Sequence, residues 1–479
     1  MSNLKIYSTL SGQKEDFLPA GSEVKMYVCG VTPYSDAHIG HAMSYINFDV
    51  IRRYLKYCGY QLKSVQNFTD VDDKIICRAR ENGEKPLILS RRYAENFNKD
   101  MQDLNVLPSD IYPCVSEEIP EIIQMVEGLI NKGHAYAAAN GDVYFSVSSM
   151  PLYGKLSNRN IEDMRAGARV EIGEEKKDPM DFALWKAAKE GEISWDAPWG
   201  RGRPGWHIEC SAMALKYLGE EITIHGGGHD LVFPHHENEI AQSECYTGKP
   251  FARWWMHNGL LQMGSEKMSK SLGNIIVIKD ILRQYTSDDL RIFILSSHYR
   301  KPLSYSKEIL DAAAKGAARL AAAVALGGNT EGSLSDIDAD KYQSSFMEAM
   351  NDDLNSPRAL AVLFDLARDI NREHAKGKNV QRAQDVLKEL GGRVFGLTFV
   401  LHQVAIDESK LTKAFQALAA DGVNIDGQSI DQKLNDLIEK RLIAKQNKNF
   451  VLADFIRQTL AAAGIEIIDT GNGSEWKVK

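Results

Sequence analysis

KMYVCGVTPYSDAHIGHAMSYINFDVIRRYL, residues 25–55, is the stretch that decides the fold. The apolar run Met26–Val28 predicts a short strand that ends at Cys29, and the Gly, Pro, Ser and Asp residues of 30–36 predict a loop. Apolar side chains at helical spacing from Tyr45 to Leu55 predict a helix. Strand, loop and helix in this order are typical of a nucleotide-binding α/β sheet, whose ligand lies at the helix N-terminus.

The loop contains the tetrapeptide His38-Ile39-Gly40-His41. Two imidazoles close to a helix start can hydrogen-bond phosphate oxygens where the helix dipole already favours negative charge. Gly40 has no side chain, so an adenine ring could approach its backbone closely. Taken alone, a motif of this length favours a surface turn with two exposed histidines. The ATP-binding interpretation therefore depends on the motifs that follow.

Composition indicates a large soluble protein. The chain has 479 residues, of which 44% are hydrophobic and 25% charged, which is ordinary for a globular protein of several domains. Its net charge of −8 disfavours broad non-specific binding to nucleic acid, although local basic patches stay possible. The absence of a membrane-length apolar run and of a signal-peptide pattern predicts a cytoplasmic protein without a membrane partner. The six cysteines form no CxxC pair, which argues against a zinc ribbon or a disulfide scaffold.

The order of patterns predicts a Rossmann-like doubly wound parallel sheet with an insertion, then an all-helical bundle, then a small C-terminal α+β unit. Residues 1–117 would form the first half of the sheet, 118–200 the insertion and 201–262 the second half. A lysine-containing loop with its connecting region would occupy 263–312. The bundle would span 313–403, and a linker with the terminal unit 404–479.

Two further strand ends carry polar residues. Thr69 follows one predicted strand and is the preferred ligand contact there, whereas the acidic residues after it more simply cap the next helix. The strand from Ile222 runs into three glycines ending at Gly228, and Asp230 could bind ribose hydroxyls. A helix is expected to begin near Pro234, and His235 and Glu239 would share one face of it.

Two lysine-rich segments have both a plain and a functional interpretation. Lys267 and Lys270 lie in the loop Lys-Met-Ser-Lys-Ser, where they could reach phosphates or simply be solvated. A predicted helix near the C-terminus carries Lys440, Arg441, Lys445 and Lys448. Such a face is usually solvated, but in an acidic chain it is also the best local contact for an RNA backbone.

Together, His38–His41 and Lys267–Ser271 resemble the paired motifs of class I aminoacyl-tRNA synthetases, which also have an insertion between the two halves of the sheet. Four further segments resemble the cysteinyl-tRNA synthetase family: Met26–Gly30, Asn67–Asp70, Gly205–Cys210 and Phe233–Glu239. The resemblance covers almost the whole chain and is least clear in the insertion and in residues 404–430.

The resemblance implies ATP-dependent activation of L-cysteine to cysteinyl-adenylate, followed by transfer to tRNA(Cys). It implies that phosphate charge is stabilised by His38, His41, Lys267 and Lys270, that ATP accompanied by Mg²⁺ is held by Gly40, Gly228, Asp230 and Lys270, and that cysteine contacts Gly30, Thr69 and Trp206. The protein would be a monomer.

The same resemblance assigns tRNA contacts to the second half of the chain. Residues 263–312 would form the lysine-containing loop and a stem-contact region, the helical bundle would bind the tRNA, and the terminal unit would read the anticodon. The expected contacts are Lys440, Arg441, Lys445, Lys448 and Trp476. Trp476 could stack on a single-stranded base, but a core tryptophan explains it equally well.

The resemblance further implies one zinc ion per chain, bound by Cys29, Cys210, His235 and Glu239. Thiolate, imidazole and carboxylate groups are all ordinary zinc ligands. The sequence leaves His207, His229 and His236 open as replacements. A zinc ion would bind the substrate thiolate far better than a hydroxyl, whereas an apolar pocket separates near-isosteres by only about a hundredfold.

Two rival functions stay open. One is a cysteine ligase of the same family that acts on an amino sugar, a branch that Gly30–Tyr34 resembles to some degree. The basic terminal unit and Glu239 favour the tRNA branch. The other is a non-catalytic RNA-binding relative, against which the intact motifs in both halves argue.

Overall fold

The computed structural model divides the chain into two compact units, residues 1–400 and 401–479. It describes residues 4–19, 21–160, 175–263, 266–267, 276–327, 332–400, 408–470 and 473–478, without the side chains of a few residues next to the gaps. Among the described helices, none has both the length and the apolar character needed to cross a bilayer.

The first unit contains both strands and helices in its described residues. Its strands are β1 Lys5–Ser8, β2 Gln13–Asp16, β3 Glu23–Val31, β4 Gln61–Phe68, β5 Ala135–Ala137, β6 Val143–Phe145, β7 Phe182–Ala187, β8 Gly202–Pro204, β9 Ile222–Gly228, β10 Ala252–Asn258, β11 Leu261–Met263, β12 Glu266–Lys267 and β13 Leu303–Tyr305. Its helices are α1 Ile39–Tyr57, α2 Asp73–Asn82, α3 Pro86–Asp103, α4 Ile119–Asn131, α5 Trp206–Leu218, α6 Glu237–Thr247, α7 Ile278–Ile281, α8 Ser287–Leu295, α9 Lys307–Ala325, α10 Ala339–Asn351, α11 Ser356–His374 and α12 Gln381–Lys388.

The central sheet has the order β10-β9-β3-β4, and every neighbouring pair is parallel. Helix α1 connects β3 to β4 on one side, and the second half of the sheet adds β9 and β10 on the other. The strand order therefore reverses between β3 and β9. In open α/β sheets, ligands bind outside the carboxyl ends of the strands at such a point. The predicted doubly wound parallel sheet is confirmed.

Strand β3 is longer than its sequence predicted. It continues to Val31, two residues past Cys29, and its pairing with β4 shifts between Val28 and Val31. The irregularity arises because the Gly30 N–H donates to the Asn67 side chain (2.8 Å). A Cβ on Gly30 would lie 1.5 Å from the Asn67 carbonyl oxygen, so only glycine fits here.

Residues 135–204 contain an antiparallel sheet of order β5-β6-β7-β8, whose last strand lies beyond residue 200, the predicted end of the insertion. Lys186 of β7 and Arg203 of β8 both contact Asp73 at the start of α2, which fixes this sheet to the first half of the central fold. Strand β8 runs directly into α5. This antiparallel sheet is thus held against the start of α2 and is joined directly to α5.

Helices α8–α12 continue the first unit and share one hydrophobic core with α1. The Arg291 guanidinium of α8 and the Asp49 carboxylate of α1 form a fully buried ion pair (2.6 Å). Arg291 also donates to the backbone oxygens of Leu104, Asn105 and Phe395, so its hydrogen-bonding capacity is largely used.

The second unit has its own core. Its helices are α13 Glu408–Ala420, α14 Ile430–Gln446 and α15 Phe450–Ala462, and its antiparallel strands are β14 Ile465–Thr470 and β15 Gly473–Val478. Leu411, Leu434 and Ile456 are among the residues that fill its interior. The predicted small α+β unit at the C-terminus is confirmed.

Candidate active site and metal centre

A cavity of about 360 Å³ opens at the carboxyl ends of β3, β9 and β10, in the size range of small-molecule sites. Six residues predicted to bind ATP or cysteine line it: Gly30, His38, Gly40, His41, Gly228 and Asp230. Thr69 and Trp206 are not among its lining residues. Lys270 and the side chain of Lys267 lie outside the described residues.

The two histidines of the first motif are fixed against one another. Their rings stack with centroids 3.7 Å apart, and the His38 N–H donates to His41 Nδ1 (3.2 Å). Helix α1 begins immediately after His38, so its N-terminus faces the cavity and favours an anion there. The chain that follows the Lys267–Ser271 motif runs beside this point, because the Ile39 N–H donates to Ile276 O (2.9 Å).

The four predicted zinc ligands lie together and are all buried. The Cys29 and Cys210 sulfurs are 3.9 Å apart, and the Cys29 Sγ lies 3.5 Å from Glu239 Oε1. His235 Nε2 is 3.0 Å from Glu239 Oε1 and 3.6 Å from Cys210 Sγ. Cys210 lies inside α5, whose residues 208–214 are all buried.

A second set of four donors shares two members with the first. It comprises Cys29, His225, His236 and Glu239, whose ligand atoms also lie within 4.8 Å of one another. His236 was an alternative from the sequence, whereas His225 was missed. The sequence did contain a signal for His225, because a histidine in a parallel strand that is buried on both faces needs polar partners. His207 and His229 belong to neither set among the described residues.

The outer contacts of the histidines favour the first set. A metal-binding histidine usually donates its other ring N–H to a neighbour. His235 Nδ1 lies 2.9 Å from His207 Nδ1, which can accept this proton. In the second set, His236 Nδ1 has a partner, His257 Nε2 (2.8 Å), but His225 Nδ1 has none in the described part of the chain. Its Nε2 lies 2.8 Å from Glu239 Oε2, where it can orient the carboxylate.

The electrostatics of the cluster suit a cation. Burial disfavours a charge on His235, yet Glu239 and Cys210 outweigh it and raise its pKa to about 10. A hydrogen bond from Cys29 lowers the pKa of the Cys210 thiol to about 6. Burial lowers the pKa of His207 to about 3, so its ring is neutral and can accept a hydrogen bond. The four donors therefore fit a zinc ion, which would displace the His235 proton on binding.

The three residues predicted to contact cysteine surround the cluster. Trp206 is 41% exposed and stacks on the His235 ring, with centroids 4.3 Å apart. Thr69 is buried and its hydroxyl donates to Glu209 Oε2 (3.2 Å). Burial, followed by the charge of Cys210, raises the pKa of Glu209 well above its usual range. The sequence did not identify Asn67 or Glu209 as functional, although both lie inside motifs that it singled out.

In the second unit, most of the residues predicted to contact tRNA are already bound to other side chains. Lys440 contacts Asp436 (2.7 Å) and Asp426 (3.1 Å). Arg441 is almost fully buried and makes two bonds to Asp469, which Lys445 also contacts. The Trp476 indole N–H donates to Asn435 Oδ1 (2.9 Å). No ion pair of Lys448 occurs in the described residues. The tRNA contacts remain predictions.

Comparison with known proteins adds independent findings. Residues 18–315 match the family model "tRNA synthetases class I (C) catalytic domain", and residues 345–400 match the "DALR domain" model. The methionyl-tRNA synthetase of Mycobacterium tuberculosis, solved with methionyl-adenylate, superposes with a TM-score of 0.58 at 16% identity, over 86% of this chain and 95% of that one. The fold and the site thus define a class I aminoacyl-tRNA synthetase.

Full-length relatives narrow this assignment. The chain is 52% identical to a cysteine–tRNA ligase of Dehalococcoides mccartyi over 99% of this chain and 100% of the relative. It is 48% identical to the cysteine–tRNA ligase of Geobacter sulfurreducens, with the same coverage, and 47% identical to that of Geobacillus thermodenitrificans, over 100% and 99% of the two chains. The chain belongs to the cysteine–tRNA ligase family.

Proposed function

We propose that this chain activates L-cysteine with ATP to cysteinyl-adenylate, releasing pyrophosphate, and then transfers the cysteinyl group to the terminal ribose of tRNA(Cys). The observation that carries the proposal is the position of Cys29. Cys29 lines the cavity that is also lined by His38 and His41, and its sulfur atom is one of the donors of the buried cluster. Groups suited to a nucleotide and groups suited to a thiol therefore meet within one site.

We propose that Cys29, Cys210, His235 and Glu239 hold one zinc ion. When bound, zinc supplies a soft Lewis acid that prefers a substrate thiolate to a neutral hydroxyl. The stacked Trp206 would pack over the substrate side chain. His225 would hold Glu239 through its second oxygen, and neutral His207 would orient His235.

The proposed chemistry in the cavity is electrostatic. The cysteine carboxylate attacks the α-phosphate of ATP, and His38, His41, Lys267 and Lys270 stabilise the charge that develops. Gly40, Gly228, Asp230 and Lys270 would hold ATP, accompanied by Mg²⁺. We see no need for a covalent protein nucleophile, because positioning and charge stabilisation account for both steps.

The remaining assignments are also proposals. Residues 263–312 would form a stem-contact region, the helical bundle 313–403 would bind the tRNA, and the C-terminal unit within 404–479 would read the anticodon. The sheet halves would be 1–117 and 201–262, with 118–200 as the insertion. We propose a monomer that acts in the cytoplasm.

One pair of assays tests the function. Cysteine-dependent exchange of pyrophosphate into ATP should proceed without tRNA, and charging of tRNA(Cys) should follow. Absence of exchange would eliminate both cysteine ligase alternatives and leave the non-catalytic RNA-binding protein. Exchange without charging of tRNA would favour the ligase that acts on an amino sugar. Serine in place of cysteine is the matched control and should support little exchange.

A further inference from the structure

A buried chain of three hydrogen bonds runs from the ATP cavity to Glu209. The Gly30 N–H donates to Asn67 Oδ1 (2.8 Å), Asn67 Nδ2 donates to Thr69 Oγ1 (3.2 Å), and the Thr69 hydroxyl donates to Glu209 Oε2 (3.2 Å). Gly30 lines the cavity, whereas Asn67, Thr69 and Glu209 are all at least nine-tenths buried.

The direction of each bond in this chain is fixed. A backbone N–H can only donate, so the Gly30 N–H holds Asn67 with its oxygen toward the strand and its NH₂ toward Thr69. Thr69 Oγ1 must then accept from Asn67, and its single proton goes to the Glu209 carboxylate. A hydroxyl oxygen accepts two hydrogen bonds. One lone pair of Thr69 is therefore left for a further donor, and the hydroxyl cannot donate to a ligand.

Glu209 lacks a counter-charge in the described structure. Its Oε1 is buried without a hydrogen-bond partner, and no ion pair joins it to a cation in the described residues. Burial without a partner disfavours the ionised form of Glu209 in the free protein, and a positive group beside it would favour that form. The α-ammonium of an amino acid is such a group, since it carries both the charge and the N–H donors that the free lone pair of Thr69 can accept.

The geometry points to Glu209 as a positioning residue for substrate: it holds the Thr69 hydroxyl as an acceptor and supplies the negative charge that recognises the α-ammonium of cysteine. This inference rests on the proposed function, since it assumes an amino-acid substrate at this site. It assigns the ammonium to the Thr69–Glu209 side of the cluster. The substrate thiol is then left to the Cys29–Cys210 side, where the proposed zinc ion would bind it.

The test compares two ligands in the same protein. L-Cysteine and 3-mercaptopropionate share the thiol and the carboxylate, but only cysteine has the ammonium. In Glu209→Gln, the Kd for cysteine, measured by calorimetry, should rise about tenfold to a hundredfold, because a hydrogen-bonded charge is lost. The Kd for 3-mercaptopropionate should change less than about twofold. The ratio of the two constants does not depend on the fraction of folded protein.

Three further measurements distinguish a specific effect of Glu209 on cysteine binding from a general loss of structure. Glu118→Gln removes another buried carboxylate beside α5, which contacts Lys216 and Tyr217, and it should leave the ratio unchanged. Metal content of Glu209→Gln should equal that of the wild type. In a Thr69→Val background, Glu209→Gln should weaken cysteine binding less than about twofold, since the effect acts through the Thr69 hydroxyl.

Two outcomes would overturn the inference. Equal weakening of both ligands would show that Glu209 only maintains the fold, and unchanged affinity for both ligands would show that the ammonium binds elsewhere. Either result leaves the proposed function intact as long as the wild type exchanges pyrophosphate in the presence of cysteine. Failure of the wild type in that exchange would instead remove the proposed function itself.

Discussion

The donor cluster and the basic helix α14 both contain residues that the sequence predicted to bind a ligand, but the surroundings of the two sets in the structure are opposite. In the cluster, donors from β3, α5, the turn before α6 and α6 itself are buried together, with Cys29 and Glu239 separated by 210 positions. On α14, the basic residues are neighbours in sequence. Lys440, Arg441 and Lys445 are each bound by aspartates of their own unit.

The difference shows that residue type does not by itself determine availability to a ligand. The buried cluster brings thiols, imidazoles and a carboxylate so close together that the charge of each affects the others. A bound cation would compensate the negative charges of the thiolates and the carboxylate. On α14, aspartates of the same unit already neutralise much of the positive charge. An exposed ion pair is weak, so tRNA phosphates could still replace the aspartates, but at some cost. The four predictions below test this contrast.

The largest effect is expected from removing a thiol of the cluster. Cys210→Ser should lower zinc affinity by at least about a hundredfold, since even changes outside the ligand shell cost tenfold to a hundredfold. Cys29→Ser should behave alike and raise the KM for cysteine far more than that for ATP. Metal analysis after dialysis and exchange kinetics measure both. Cys245→Ser is the control, and undiminished zinc in Cys210→Ser would disprove the ligand set.

The two possible ligand sets predict opposite orders for a pair of histidines. If His235 binds the metal and His225 only orients Glu239, His235→Ala should reduce zinc affinity at least about tenfold more than His225→Ala. Competition with a chromogenic chelator at fixed pH gives both values. A larger loss in His225→Ala would transfer the site to the set that contains His236.

Among the four basic residues predicted to contact tRNA on α14 and the turn after it, Lys448 alone has no ion pair in the described residues, and it should matter most for tRNA. Lys448→Ala should raise the KM for tRNA about twofold to fivefold and reduce the slope of log Kd against log salt by about one. Lys445→Ala should change these quantities less, because Asp469 shares its charge (2.9 Å). Equal effects of the two variants would show that the aspartates do not compete with RNA.

The smallest effect concerns the stability of the second unit. Hydrogen bonds from Arg441, Ser474 and Lys445 hold the pKa of Asp469 well below its usual value. A lowered folded pKa adds stability above the unfolded pKa of about 4, and this stability is lost as pH falls below it. Asp469→Asn should therefore cost about 1 kcal/mol at pH 7, and the deficit should shrink toward pH 3.

Hydrogen exchange of peptides that cover α14, corrected for the intrinsic rate, would measure this deficit. Asp454→Asn is the control, because Asp454 pairs with Arg457 (2.9 Å) at a site where both side chains are about half exposed. It should change the exchange by less than about 0.5 kcal/mol at either pH. A deficit of Asp469→Asn that does not depend on pH would contradict the ion-pair explanation.

Much of the fold could be predicted from the sequence because the patterns that indicate strands, turns and helices are local. Turn residues and apolar spacing placed β3, α1 and the strand that leads into the three glycines, and the change to continuous helical spacing marked the bundle. Boundaries were less accurate. The end of β3 depends on a hydrogen bond from Gly30 to Asn67 on a neighbouring strand, which no window of local sequence contains.

The sequence by itself determined the motifs, their order and a short set of metal donors, since residue chemistry and spacing along one element are local properties. It could not choose among the histidines. That choice depends on which ring nitrogens find partners after folding: His207 supports His235, whereas His225 contacts Glu239 and leaves Nδ1 without a described partner. Only the tertiary structure decided that Glu209 orders Thr69 and that Arg441 is buried against Asp469. Hydrogen-bond direction, burial and charge neutralisation arise between elements that are distant in the chain.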